Sequence, residues 1–150
     1  MTLQEAINFF ESLKTETTKN SEIKVYEKFL HILTELQNRE FTKDEIQSIE
    51  SELEDLNLKS NPKDRKKFFK KALSIFENYL KDTFFLTSKG YYTERGVGYG
   101  VLFGVVAGVL IGERFEKSLG ISFGISIGML IGAFIGRHMD AQAKVAGNML

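Results

Sequence analysis

Ten glycines recur at every fourth position in two runs: Gly96, Gly100, Gly104, Gly108 and Gly112, then Gly120, Gly124, Gly128, Gly132 and Gly136. The second run is the first displaced by 24 residues, so GVGYGVLFGVVAGVLIGERF repeats as GISFGISIGMLIGAFIGRHM. Few environments tolerate such a segment. In water a helix carrying five glycines forgoes about 4 to 5 kcal/mol relative to alanine. In lipid an unpaired backbone amide costs several kcal/mol, so the chain closes its own hydrogen bonds and glycine stays helical. Residues 96–112 and 118–136 contain no charged side chain and no histidine. As α-helix they cover roughly 26 to 28 Å, just enough for a hydrocarbon core of about 30 Å. Two short transmembrane helices are therefore expected.

Between membrane helices hydrophobic drive is small, and small residues at i and i+4 let two backbones approach closely. Folded back as an antiparallel hairpin, the spans put Gly96 near Gly136, Gly104 near Gly128 and Gly112 near Gly120, with Glu113 to Ser118 as the turn. A strand reading fits the alternation in Gly120-Ile-Ser-Phe-Gly-Ile-Ser-Ile-Gly, but two strands cannot close a membrane barrel. Met129-Leu130-Ile131 and Ala133-Phe134-Ile135 also put bulk on both faces.

The first 89 residues contain no glycine at all. Residues 1–86 carry 14 basic and 16 acidic side chains, against 6 and 4 afterwards, with apolar residues at helical spacing. Four helices are predicted there. The first opens on a Thr2/Glu5 capping box and aligns Leu3, Ile7, Phe10 and Leu13. The second starts near Asn20 or Ser21, with Ile23, Tyr26, Phe29, Leu30, Leu33 and Leu36 inward. The third opens on a Thr42/Glu45 capping box with Phe41 and Ile46 as hydrophobic staple. The fourth is expected to begin at Asn61-Pro62 and to run to about Leu86, with Phe69, Ala72, Leu73, Phe76, Tyr79, Leu80 and Thr83 toward the core. The expected fold is all-α: a cytosolic four-helix bundle over 1–86, a linker over 87–95, the glycine hairpin over 96–136 and a cytoplasmic tail over 137–150.

Zero net charge argues against a nucleic-acid binder, and the absence of cysteine removes disulfides, thiolate metal sites and cysteine nucleophiles. The amino terminus shows no basic segment, apolar run or cleavage site of a secretory signal. That favours the cytoplasmic (inner) membrane with both termini cytoplasmic. Lys89 and Arg95 before span one and Arg137 and Lys144 after span two suit that side, although Arg114 and Lys117 make the turn basic too. Tyr91, Tyr92 and Tyr99 are expected as an aromatic belt there, with Phe115 opposite.

The catalytic inventory is poor. The two histidines, His31 in the helix-two stripe and His138 beside the membrane, form no metal spacing, so no metal, no cofactor and no enzyme activity are expected. The segment Gly98-Tyr-Gly100-Val-Leu-Phe-Gly104 lacks the strand context and the Lys-Ser/Thr of a nucleotide loop. Ser122 and Ser126, two residues off the ladder, make a second small face that could pack against a neighbour, line a polar path or bond to their own helix. Lys63, Lys66, Lys67, Lys70 and Lys71 form a basic face on helix four. It suits anionic headgroups, solvent, or acidic helix three.

The repeat over residues 96–136 resembles glycine-zipper membrane proteins, many of them small bacterial proteins, and more remotely the rotor-ring hairpin of rotary ATP synthases. The resemblance implies homo-oligomerisation through the ladder glycines. It departs from a rotor subunit in having no carboxylate between Met129 and Ala133, which disfavours proton carriage. No family is recognised in the helical part. The expected function is a non-enzymatic integral membrane protein that self-associates and presents a cytosolic interaction domain to a protein partner. The alternatives are a membrane-permeabilising effector or small channel, and an adaptor for which the hairpin is only an anchor.

Overall fold

A computed structural model describes residues 1–60, 62–112 and 116–150, except for the side chain of residue 117. The described residues form six α-helices and no strand: α1 (Leu3–Glu16), α2 (Asn20–Gln37), α3 (Lys43–Asp55), α4 (Arg65–Phe84), α5 (Tyr91–Gly112) and α6 (Lys117–Val145). They fall into two units, Met1–Leu86 with Leu150, and Thr87–Met149.

In the first unit both expected capping boxes close. Thr2 accepts from the Glu5 amide and Thr42 from the Glu45 amide, while each glutamate reaches back to the cap amide. The Glu45 carboxyl is held below its usual range by its bonds with the Thr42 amide and hydroxyl. A second carboxylate reinforces α1 from across the unit, for Glu50 on α3 accepts from the Leu3 amide at 3.2 Å. The stripes then meet in an aromatic core. Phe10 stacks on Phe29 with centroids 4.2 Å apart, and Phe69 meets Phe10 and Tyr26 edge-on at 5.7 and 5.4 Å. Leu33, Leu36, Ile49, Leu53 and Phe76 complete it, all buried.

Several expectations change in detail. Helix four begins at Arg65, not at Asn61-Pro62, because the Asp64 carboxylate accepts from the Lys67 amide and caps the helix there. Asn61 itself lies outside the described residues. Thr83 is exposed, since α4 ends at Phe84 and the core face stops at Leu80. Within α2 the apolar face turns through Val25 and Ile32, leaving His31 exposed rather than in the stripe and Ile23 and Leu30 half-buried. The α5 helix takes in Tyr91–Arg95, expected as linker, and α6 continues through most of the expected tail.

Candidate functional site

The second unit is built on glycine. In α5 and α6, 22 and 29 residues long, every ladder glycine whose surroundings are described faces the opposite backbone. A Cβ on Gly104 would meet the Gly124 carbonyl, standing 2.8 Å from its carbon. One on Gly108 would stand 2.5 Å from the Gly120 oxygen, and one on Gly124 2.7 Å from the Gly108 Cα. No methyl group fits at such separations, so glycine is required by close approach rather than by backbone conformation. The helices run antiparallel, with the carbonyl contacts pairing Gly96 with Gly132, Gly100 with Gly128, Gly104 with Gly124 and Gly108 with Gly120. The pairs expected from the repeat touch as well, through Cα rather than carbonyl: a Cβ on Gly96 would stand 3.4 Å from the Gly136 Cα. Gly128 also meets the Gly104 Cα and Gly120 the Gly112 Cα, so Gly120, Gly124, Gly128 and Gly132 each seat between two glycines of α5, while Gly136 faces Tyr92 and Thr93. The turn at residues 113–115, including Arg114 and Phe115, lies outside the described residues.

With glycine facing glycine, bulk has to point outward. Leu102, Phe103 and Leu110 on α5 and Phe123, Leu130 and Phe134 on α6 are between 64% and 76% exposed. A core helix of a soluble protein would hide such side chains; these two helices are long and apolar enough to cross a membrane and present their apolar side chains to the surroundings. Ser122 and Ser126 lie exposed on the outer side of α6. Their hydroxyls donate to the Ser118 and Ser122 carbonyls at 2.9 Å, the in-helix bonding that needs no neighbour.

The open end of the hairpin is latched by a residue that sequence reasoning missed. Asp140, buried at 9% exposure, lies one turn beyond Gly136 on α6. Its carboxylate accepts from the Tyr92 amide at 3.0 Å, the Thr93 amide at 3.1 Å and the Thr93 hydroxyl at 2.6 Å. These are orphan donors of the first turn of α5, so one helix supplies the N-terminal cap of the other. Beyond it, Gly147 at φ 74° closes α6: the Gly147 amide donates to the Lys144 carbonyl and the Asn148 amide to the Ala143 carbonyl. The Asn148 carbonyl then accepts from the Thr87 amide at 2.8 Å. The aromatic belt needs one correction. Tyr91 is buried, edge-on to Tyr92 with the Arg95 guanidinium 4.5 Å above its ring, whereas Tyr99 is exposed. His138 is exposed.

In the first unit Lys66, Lys67, Lys70 and Lys71 are exposed along α4, while Lys63 sits in the turn ahead of it. None of the five is ion-paired with α3 among the described residues. An open polar cleft nearby is lined by Glu16, Thr17, Lys19, Glu22, Pro62, Lys63, Asp64 and Arg65. Burial pushes the Glu22 carboxyl up, but the Thr17 hydroxyl at 3.0 Å and the Lys19 ammonium at 3.2 Å hold it below the usual range on balance. Burial and the Glu22 charge raise the neighbouring Tyr26 phenol. No group of three or more potential metal ligands occurs among the described residues.

Compared with known proteins, the chain matches no family model, no curated protein and no solved structure.

Proposed function

We propose that this chain is a non-enzymatic integral membrane protein whose glycine-zipper hairpin anchors, and self-associates to cluster, a helical interaction domain on the cytoplasmic side of the inner membrane. The observation that carries the reading is the inversion of the second unit, with glycine inside and leucine, isoleucine and phenylalanine outside. Apolar surface of that extent is satisfied by acyl chains, and backbone contact supplies the packing that hydrophobic drive cannot supply in lipid. The α5 and α6 helices measure about 33 and 44 Å at 1.5 Å per residue, against about 30 Å of hydrocarbon, which leaves the last turns of α6 outside it.

Self-association then uses what the hairpin leaves unpaired. The ladder glycines serve the contact between α5 and α6, so the face with Ser118, Ser122 and Ser126 is the small surface on which a second hairpin can pack. Basic flanks at Lys89, Arg95, Arg137 and Lys144 support cytoplasmic termini. A permeabilising role gains no support from the serine hydroxyls, which bond to their own helix.

Alkaline carbonate extraction followed by crosslinking in membranes tests the reading. The chain is expected to stay with the membrane and to give oligomers that Ser122→Leu combined with Ser126→Leu weakens. A chain that carbonate releases, or that stays monodisperse in the supernatant without detergent, would reject it. The adaptor alternative is separated by exchanging the hairpin for an unrelated two-span anchor, which an adaptor survives and a self-associating hairpin does not.

A further inference from the structure

The charged end of the hairpin has a composition that the apolar span does not explain. Around the start of α5 and the end of α6 stand four cations, Lys89, Arg95, Arg137 and Lys144, with two carboxylates, Glu94 and Asp140. The fold withdraws one of those carboxylates from the surface. Asp140 is buried and its oxygens face the first amides of α5, so its charge is met by the positive end of that helix. Lys89, Arg137 and Lys144 are exposed. Arg137 and Lys144 lie seven residues apart on one flank of α6, about 10 Å apart along its axis. The cations begin one residue outside the uncharged spans on both helices, at Arg95 before Gly96 and at Arg137 after Gly136.

We infer that this end is a collar for anionic phospholipid headgroups, with Lys89, Arg137 and Lys144 contacting the phosphate layer while the apolar sides of α5 and α6 contact the acyl chains of the same leaflet. The occupant follows from continuity, because a lipid alone presents an anionic group joined to a long apolar chain at the spacing over which this surface changes from cationic to apolar. The inference rests on the membrane reading above. It separates the collar from the lysines of α4, which belong to the other unit.

The test uses the full chain reconstituted in phosphatidylcholine bilayers carrying spin-labelled phosphatidylglycerol or spin-labelled phosphatidylcholine, read as the motionally restricted fraction of each label. The wild-type chain is expected to prefer the anionic label. R137Q combined with K144Q should cut that preference about fivefold at low salt, whereas the charge-keeping pair R137K and K144R retains it. K144Q alone, in the last turn of α6, gives a smaller loss and covers the case in which the double variant fails to insert. Unchanged preference in both glutamine variants overturns the inference. So does a loss seen only with K66Q, K67Q, K70Q and K71Q, which would move the contact to α4. Suppression by inorganic phosphate but not by chloride at equal ionic strength overturns the lipid assignment in favour of a free anion. Release of the wild-type chain by carbonate removes the membrane reading itself; retention without lipid preference removes only the collar.

Discussion

The two units solve the same problem, joining helices side by side, with opposite materials. In Met1–Leu86 the contact is made by side chains, with Phe10 stacked on Phe29 and Phe69 wedged edge-on between them and Tyr26. In Thr87–Met149 it is made by backbones, and the residues hidden within α5 and α6 are mostly glycines, with Tyr91 and Asp140 at the open end. Water rewards the first arrangement, because burying aromatic surface removes it from solvent. It penalises the second, which hides little apolar surface and displays a great deal. The division between the units, at Leu86, falls just ahead of Gly90, the first glycine of the chain.

The comparison is broken most severely by bulk inside the ladder. Gly104→Leu or Gly128→Leu has to force the helices apart, since even the first carbon of the new side chain meets backbone. Overpacking a side-chain core costs roughly 1–3 kcal/mol, occasionally more, but there the neighbours can change rotamer and here they cannot. Loss of the paired hairpin is expected, read as the disappearance of a disulfide between cysteines introduced on the facing flanks of α5 and α6. Retention of that crosslink would show that close approach is not what the glycines are for.

In the first unit the matching lesion is a cavity. Phe10→Ala is expected to cost about 3–5 kcal/mol, seen as a lower denaturant midpoint for the helical signal of the first unit. The glycine crosslink should be untouched, because the two sites share no packing within either unit. A coupled loss would mean that the units are less separate energetically than their internal contacts imply.

Polar capping is what the units have in common, and Asp140 measures it. Removing its carboxylate with Asp140→Ala leaves the Tyr92 and Thr93 amides without their partner, at an expected cost of about 1–3 kcal/mol. The readout is faster hydrogen exchange at those two amides with the centre of α5 unchanged. Asp140 also marks the limit of what the sequence discloses. Fourfold spacing states that the glycines share a face and that a hairpin would bring the faces together. It does not choose between two registers one turn apart, since every shift of four again sets glycine against glycine. Asp140 finds the start of α5 only after that choice is made, from 47 and 48 residues away, and a single aspartate past the end of an apolar run carries no periodic signal. Capping boxes were legible because both halves lie within four residues. The start of α4 was misread because Asn-Pro is a strong local signal, while the carboxylate that caps the helix stands three residues later at Asp64.

A pH effect is expected in the first unit. The Glu22 carboxyl is depressed in the folded state by Thr17 and Lys19 despite its burial. Its stabilising contribution is therefore present above the ordinary carboxylate range and is lost as the pH falls through the lowered folded value. Glu22→Gln should flatten the acid limb of stability for the first unit, leaving its plateau slightly lower. An acid limb of unchanged slope would assign that loss to other carboxylates.

The smallest effect is the sharpest test of what glycine does. Gly98 sits between Gly96 and Gly100 in α5 and is indistinguishable from them in composition, yet a Cβ placed there meets nothing within 4 Å. Its neighbours in the ladder would drive theirs into Gly132 and Gly128. If glycine serves close approach, Gly98→Ala leaves the hairpin crosslink as it was, with at most about 1 kcal/mol in its favour from helix propensity, while Gly100→Ala weakens it. If glycine instead serves flexibility along the whole segment, the two substitutions act alike, because each removes one flexible residue from the same helix. Equal effects at positions 98 and 100 would thus count against backbone contact as the cause of the pairing, even in a chain that remains firmly in the membrane.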